Sequence, residues 1–305
     1  MSSFRAASLA LAFTFALGQA NPIADVLLPT DTVSATATSV EELTPAFEAF
    51  RTFLGGSNNG NAAESISTGH RQINWDAPAV PFDMPGEFFA NVVPRGALLE
   101  TSDGSDSFRV SNPPEDQGIE DDKFDSIVGS LSSQFQQFSN ERLFSTFEDN
   151  KLIIKFVDPG NTAFPAAVTG LGVVFTGVNT ARLTKMEFYD ANECLLACEY
   201  VTPSPAGGLS FLGVHFNVAA IVTKVCITLG GASLEESGGD ESSSDEDVVV
   251  MDDFLYGEPQ RVVLPTEPSC AAKKSGKKSK SSKRERGLVA ENPKRNAKKN
   301  LRRSA

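Results

Sequence analysis

Short apolar runs separated by turn-forming residues dominate the middle of this 305-residue chain. Clusters such as Asp158-Pro159-Gly160 and Gly230-Gly231 interrupt the sequence at short intervals, which leaves room for strands rather than for long helices. This punctuation is typical of an all-β protein, so we predict a mostly β fold, a β-sandwich or jelly-roll with one or two short peripheral helices. The predicted strands are 107–110, 152–157, 172–178, 185–189, 195–201, 209–216, 221–229 and 248–256.

Several of these runs alternate between two kinds of side chain. In the run that ends at Phe216, Leu212 and Val214 share its face. Gly213 and His215 point to the other face of the same run. The next run alternates in the same way. This pattern predicts strands with one dry face and one face in contact with solvent.

Two segments show helical spacing instead. Ser39 and Glu42 fit a capping box at the start of an amphipathic helix. A later start, with Pro45 as the first helical residue, fits the same sequence. Residues 124–138 also repeat apolar residues at helical intervals. We expect these helices to pack at the periphery of the β domain.

The first twenty residues have the layout of a secretory signal peptide. Arg5 precedes an apolar run over 6–17 that is too short to span a bilayer. Small residues, Gly18 and Ala20, occupy the two positions that signal peptidase recognises before its cleavage site. A buried N-terminal helix is the alternative. No other stretch approaches membrane length, so we expect no membrane span. The predicted divisions are signal peptide 1–20, lead-in 21–38, β-sandwich domain 39–260, and linker with basic tail 261–305.

Charge divides the chain into two parts. Residues 271–305 contain fourteen Lys and Arg and two Glu, about +12, whereas the whole chain carries −12. Residues 1–270 therefore carry about −24. An acidic, Ser- and Gly-rich loop over 234–247 interrupts the domain. We predict that this loop and the basic tail are disordered, because neither contains enough apolar residues to bury a core.

The chain contains four cysteines, Cys194, Cys198, Cys226 and Cys270. Secretion would permit disulfides. In one extended strand Cys194 and Cys198 would lie roughly 13 Å apart, so each is expected to pair, if at all, with Cys226 or Cys270 unless a turn intervenes. A zinc site is not expected, because the sequence has two histidines and no Cys-x-x-Cys spacing.

Asn74, Trp75 and Asp76 form a candidate carbohydrate-binding motif around the only tryptophan. An exposed indole offers a flat apolar platform for a sugar ring, and the flanking amide and carboxylate supply directional hydrogen bonds. The alternative is a core tryptophan beside a turn. His215, on the predicted solvent face of its strand, is a further candidate ligand-binding residue.

Asp252 and Asp253 are the candidate metal ligands. They lie between apolar residues in the last predicted strand, where alternation would direct the two carboxylates to opposite faces. A carboxylate on the dry face needs a partner, and a structural calcium ion would serve. A turn acid bonded to backbone N–H groups is the alternative.

Seven segments spread over residues 45–260 share a pattern with known proteins. They are Phe50-Arg-Thr-Phe-Leu-Gly-Gly, Gly69-His-Arg-Gln-Ile-Asn-Trp-Asp, Pro85-Gly-Glu-Phe-Phe, Pro94-Arg-Gly, Phe188-Tyr-Asp-Ala-Asn, Gly208-Leu-Ser-Phe-Leu-Gly-Val and Val249-Val-Met-Asp-Asp-Phe-Leu-Tyr-Gly-Glu-Pro. Together they resemble a broad family of secreted bacterial domains of unknown activity that are often attached to cell-surface sorting tails. The resemblance implies an extracellular β-sandwich and no particular activity. His70 and Gln72 occupy positions where that family is expected to have Arg and Glu. Met251-Asp-Asp-Phe is also similar to the closing strand of jelly-roll carbohydrate-binding modules.

In the basic tail, Lys274, Lys277, Lys280 and Lys283 recur at every third residue among Ser and Gly, and Arg286 continues this spacing. The pattern resembles the lysine- and serine-rich segments of diatom silica-associated proteins of the silaffin type. The cations that carry the resemblance, and the predicted polyanion-binding residues, are Lys274, Lys277, Lys280, Lys283 and Arg286. The tail has no aromatic residue to stack on bases, so silica or acidic polysaccharide is expected as its partner rather than nucleic acid.

No catalytic motif stands out, because neither His70 nor His215 lies near a nucleophile motif. The sequence therefore favours a secreted matrix or cell-wall protein that binds carbohydrate or biosilica. A secreted polysaccharide hydrolase or lyase that uses paired carboxylates is the alternative.

If the leader is cleaved after Ala20, the secreted chain begins at Asn21. Cleavage is expected because small residues stand at the two positions that signal peptidases read. N-terminal sequencing of secreted material should give Asn-Pro-Ile, and material that still begins with Met1 would contradict the prediction.

Overall fold

The computed structural model describes residues 30–205, 207–217, 219–237, 247–266 and Cys270. These residues form two antiparallel sheets with a few short helices, which confirms the prediction of a mostly β protein. No helix among them is long and apolar enough to cross a membrane. The predicted signal peptide, most of the acidic loop and the basic tail lie outside the described residues.

Fifteen strands make up the two sheets. All eight runs predicted from alternation contain a strand. The strands are β1 (Thr30–Ala37), β2 (His70–Ile73), β3 (Asp83–Met84), β4 (Ala97–Thr101), β5 (Phe108–Val110), β6 (Phe144–Thr146), β7 (Lys151–Asp158), β8 (Asn161–Ala167), β9 (Gly170–Thr176), β10 (Lys185–Tyr189), β11 (Leu195–Tyr200), β12 (Leu209–Phe216), β13 (Lys224–Thr228), β14 (Val250–Gly257) and β15 (Gln260–Arg261).

The strand order places sequence-distant strands side by side. One sheet has the order β1-β12-β9-β14-β6-β5-β3, with β2 also pairing with β14. The other has the order β11-β10-β13-β7-β8-β15, with β4 also pairing with β7. Residues 30–37, which the sequence assigned to the lead-in, form β1 and pair with β12 from Thr30↔Phe216 to Ala37↔Leu209. The folded domain therefore begins before residue 39.

The main hydrophobic core takes side chains from both sheets. Val173 and Leu212 contribute from the first sheet, and Ile154, Val225 and Phe188 contribute from the second. Each of these five side chains is at most 1 % exposed. Their strands therefore have the dry face that the alternation predicted.

Helix α1 (Val40–Leu54) covers the opposite face of the first sheet. Its N-cap is Ser39, whose Oγ accepts a hydrogen bond from Glu42 N (3.4 Å), so the earlier of the two predicted starts is the one observed. The apolar side of α1 packs onto β9 and β12. The prediction that Gly213 and His215 lie on a solvent face is therefore wrong, because a helix from elsewhere in the sequence covers that face.

Phe50 of α1 lies over a pair of glycines on neighbouring strands. Gly172 of β9 is directly opposite Gly213 of β12. A Cβ atom at either position would lie 2.5–2.8 Å from the ring of Phe50, closer than nonbonded atoms approach. Phe50 is fully buried and packs edge-on against Phe211 at 5.6 Å. The two glycines therefore let the helix approach the sheet closely.

A group of short helices packs further along the same sheet. The helix predicted over 124–138 is instead α2 (Asp125–Val128) followed by a 3₁₀ helix over Gly129–Gln134. Gly129 ends α2 with a φ of +56°, a conformation that glycine adopts readily. Buried Phe124 and Leu143 form a satellite cluster here with α3 (Leu234–Ser237). Two further turns are the π-helical turn Phe88–Val92 and the 3₁₀ turn Glu115–Gln117.

A buried ion pair joins the N-terminal part of the domain to its end. The guanidinium of Arg71 in β2 donates to both carboxylate oxygens of Glu258, at 2.8 and 2.7 Å, and both side chains are at most 1 % exposed. Arg71 also donates to the backbone carbonyls of Gly60 (3.0 Å) and Pro94 (2.5 Å). Asn59 Nδ2 donates to Glu258 Oε2 (2.8 Å), so the buried carboxylate is compensated.

Replacing Phe50 with alanine should strongly destabilise the fold. The substitution leaves a cavity above Gly172 and Gly213, for which we expect a loss of about 3–5 kcal/mol in the free energy of unfolding. Phe53→Ala is the matched control, because Phe53 lies on the same helix and is 43 % exposed. Urea denaturation of both variants measures the difference, and equal losses would contradict this account of the helix–sheet contact.

Candidate carboxyl site

A β-bulge in β14 changes the direction of the two predicted metal ligands. Met251 pairs with Phe175 and Phe254 pairs with Val173, so three steps along β14 match two steps along β9. Asp252 and Asp253 occupy the bulge, and their carboxyl groups lie within hydrogen-bonding reach of each other. The prediction that they point to opposite faces is therefore wrong, because strict alternation ends where a residue is inserted.

The two carboxyl groups are bound from different elements. Asp252 Oδ2 accepts from the backbone N–H of Phe138 (2.6 Å), and its Oδ1 accepts from Ser139 Oγ (2.9 Å). Asp253 Oδ2 accepts from Gln72 Nε2 (2.5 Å), and Gln72 Oε1 in turn accepts from Arg51 of α1 (3.1 Å). Asp252 and Asp253 are 0 % and 1 % exposed. This arrangement gives donors to three of their four carboxyl oxygens.

Asp76 is the third member of what we call the carboxyl cluster, Asp76, Asp252 and Asp253. Its Oδ2 accepts from Asn74 Nδ2 (3.0 Å), and it lies near both Ser139 and the charge of Asp253. Oδ1 of Asp76 and Oδ1 of Asp253 are buried and have no hydrogen-bond partner among the described residues. The cluster therefore contains more buried acceptors than donors.

Burial raises the pKa of all three carboxyl groups. For Asp76, desolvation is the main cause and raises the pKa to about 6. Desolvation, reinforced by the neighbouring Asp253 charge, raises the pKa of Asp252 well above its usual range. Desolvation also raises the pKa of Asp253. A proton held between Asp252 and Asp253 would supply the missing donor and would avoid two like charges in the interior.

The calcium predicted at Asp252 and Asp253 stays a prediction. Among the described residues, no group of three or more His, Cys, Asp or Glu side chains is placed to hold a metal ion. The unpartnered oxygens of Asp76 and Asp253 are the atoms to which a cation could bind. Because Asp252 and Asp253 are buried, they cannot contact a polymeric substrate, which excludes this pair as direct acid and base residues of a glycosidase.

The exposed-platform interpretation of Trp75 is wrong. Trp75 is 1 % exposed and stacks on Phe144, with ring centroids 3.9 Å apart and an interplanar angle of 7°. Its Nε1–H donates to the backbone carbonyl of Asp252 (2.8 Å), which makes it a support of the carboxyl cluster. Its φ of +64° is uncommon for a bulky residue, and Arg142 holds this loop by donating to the carbonyls of Trp75 and Val80. The alternative, a core tryptophan beside a turn, describes what the structure shows.

His215 also lies away from solvent. It is 9 % exposed, and its ring stacks on Phe53 of α1 at 6.3 Å. Burial lowers its pKa, and Asp31 of β1 lies 3.7 Å from Nδ1. His215 is therefore mostly covered by α1 and β1, and the accessible face that the sequence predicted for it is not observed.

Two concavities differ in size. Asn74 and Trp75 line one of about 40 Å³, which is too small for a sugar ring. An open groove of about 480 Å³ is lined by Asp83 of β3, Asp106, Arg109 of β5 and Glu148. The guanidinium of Arg109 lies 4.1 Å from the ring centroid of Phe147 and 2.9 Å from Asp83 Oδ1. The groove, rather than the tryptophan, offers charged side chains to a ligand.

One disulfide is present among the described residues. Cys194, in the turn before β11, is bonded to Cys270, and their Cα atoms are 5.0 Å apart. This is one of the pairings that the sequence left open. Cys198 and Cys226 are unbonded and half-buried. The predicted polyanion-binding residues Lys274, Lys277, Lys280, Lys283 and Arg286 lie outside the described residues.

Comparison of the chain with models of protein families, with curated proteins and with solved structures finds no match. Sequence reasoning identified Asp76, Asp252 and Asp253 but missed Ser139, which has no distinguishing sequence context and reaches the cluster only through the fold.

Asp252→Asn should make the protein less sensitive to alkaline pH. A buried carboxyl group with a raised pKa has a higher pKa in the folded protein than in the unfolded chain, where the value is about 3.9. The free energy of unfolding then decreases as the pH rises through the interval between these two pKa values. The wild-type protein should therefore melt at a higher temperature at pH 5 than at pH 8, and Asp252→Asn should narrow that difference. Each kcal/mol corresponds to roughly 2–4 °C for a domain of this size.

Asp83→Asn is the control for this experiment, because the Asp83 side chain is 71 % exposed. It should leave the wild-type pH dependence unchanged. Identical pH dependence in the wild type and Asp252→Asn would contradict the shared-proton interpretation. Adding calcium or a chelator at pH 8 tests the metal prediction in the same assay, and coincident melting curves would reject it.

Proposed function

We propose that this chain is a secreted matrix or cell-wall protein in which a β-sandwich body carries a polycationic tail that binds silica or acidic polysaccharide. The observation that carries the proposal is the division of charge. The fourteen cations and two acids of residues 271–305 follow a body with a net charge of about −24. Such a tail attracts polyanions through Coulomb forces and counterion release, without a folded binding site.

The disulfide supports a tail that acts as an anchor. Cys270, the last residue before the tail, is covalently bonded to Cys194 in the turn between β10 and β11. The bond closes a loop across 76 residues of sequence. A force that pulls on the tail would therefore be transmitted through the disulfide to the second sheet, rather than along residues 262–269. A disulfide also fits a secreted protein, since cytosolic thiols are kept reduced.

The body is suited to a structural role. Its carboxyl pair is buried, and His70 and His215 are at most 9 % exposed. The groove at Asp83 and Arg109 is large enough for part of a saccharide chain and exposes carboxylates that can accept hydrogen bonds from hydroxyl groups. These features favour binding over turnover, and we keep a polysaccharide-acting enzyme as the alternative proposal.

Removing the tail should abolish retention on polyanions. We compare the full mature chain with one that ends at Cys270, so that the disulfide is kept, on silica and on an acidic polysaccharide. The full chain should bind at low salt, and its affinity should fall about a thousandfold between roughly 50 and 200 mM salt if six or more cations engage. The shortened chain should not bind, because its charge is negative.

A full-length variant with Lys274, Lys277, Lys280, Lys283 and Arg286 changed to glutamine is the matched control, since it keeps the length of the tail and removes five of its charges. It should bind with an intermediate affinity and a shallower salt dependence. Equal retention of all three proteins would reject the tail as the binding element. Release of reducing sugar from the polysaccharide during the assay would favour the enzyme.

A further inference from the structure

β11 is an edge strand whose backbone is available for pairing. The N–H of Val201 donates to Thr184 O (3.0 Å), which makes these two residues a hydrogen-bonded pair of the β10–β11 ladder. Because such pairs alternate along an antiparallel ladder, the N–H and C=O of Cys198 and Tyr200 point away from β10. No strand among the described residues pairs with β11 on that side.

The side chains of β11 do little to block pairing. Edge strands are commonly protected by lysine or proline, and neither occurs within Leu195–Tyr200. Leu195 and Tyr200 are large apolar side chains with 43 % and 40 % exposure. An additional strand beside β11 would cover them and satisfy the free backbone groups.

Cys198 has no partner within its own chain. It lies opposite Glu187 of β10, and Cys226 lies opposite the same Glu187 from the other side. The two thiols are therefore two strand spacings apart, roughly 9.6 Å, which exceeds the range of a disulfide. Cys194 and Cys270 are already bonded to each other. The Cys198 thiol is thus left at the edge of the sheet in a protein that contains a disulfide.

We propose that β11 pairs antiparallel with β11 of a second copy of this chain, centred on Cys198, and that the two Cys198 thiols form an intermolecular disulfide. In this register Glu199 lies opposite Ala197, and Tyr200 lies opposite Leu196, so no like charges face each other. Directly opposite hydrogen-bonded residues have Cα atoms about 5.5 Å apart, which is within disulfide range.

The covalent step is thiol–disulfide exchange. A small-molecule disulfide is attacked by one Cys198 thiolate, which releases one thiol and leaves a mixed disulfide. The second Cys198 thiolate then displaces the other thiol. Two protons leave the protein, and the two electrons reduce the oxidant. The product carries two tails, which would raise avidity for a surface without any new contact, an effect that goes beyond the function proposed for one chain.

Three cysteine forms of the full-length protein test this proposal. After incubation with glutathione disulfide, the wild type should run at twice the monomer mass on a non-reducing gel and return to monomer on reduction. Cys198→Ser should abolish the covalent dimer. Cys226→Ser should leave it unchanged, because the backbone of Cys226 is already paired with β10.

A fourth variant separates strand pairing from chance collision of thiols. Tyr200→Pro removes an N–H that points to the free edge, so it should reduce the covalent dimer at least tenfold while a cooperative melt shows that the domain folds. A wild type that stays monomeric, a dimer that depends on Cys226, or an undiminished dimer in Tyr200→Pro would overturn the proposal.

Discussion

Burial of the first sheet on both faces is the constraint on which the rest of the structure depends. β9, β12 and β14 have no exposed residue, so each needs a second cover in addition to the core between the sheets. Phe50 supplies part of that cover by approaching Gly172 and Gly213 more closely than any Cβ would allow. Helix α1 is therefore an integral layer of the domain, and β1, which leads into it, extends the same sheet.

The second cover also creates the carboxyl cluster. Asp252 accepts hydrogen bonds from Phe138 and Ser139, and Phe138 packs with α1 on the covered face of the sheet. Asp253 accepts from Gln72 of β2, which pairs with β14 in the same sheet. The amide of Gln72 supplies a hydrogen-bond donor at a place where a carboxylate would add a further negative charge. Burial thus raises the pKa of both carboxyl groups, and the expected consequence is a stability that depends on pH.

The proposed function involves two regions that differ in their physical chemistry. The body excludes water from its polar residues by packing and paired hydrogen bonds, as in the Arg71–Glu258 ion pair. The tail has fourteen cations, two acids and no aromatic residue, so its proposed contacts are electrostatic and depend on salt. The disulfide between Cys194 and Cys270 attaches the last residue before the tail to the turn that precedes β11.

Eight of the fifteen strands among the described residues follow from the sequence alone, because apolar runs and turn residues act locally, and β10 and β12 have the predicted bounds. For α1 the sequence offered two starts, and the observed one has Ser39 as its N-cap. Only the tertiary structure decided that Trp75 is buried and that α1 covers His215. It also decided that Cys194 pairs with Cys270 and that a bulge brings Asp252 beside Asp253. Each of these depends on contacts between residues far apart in sequence, on which local periodicity carries no information.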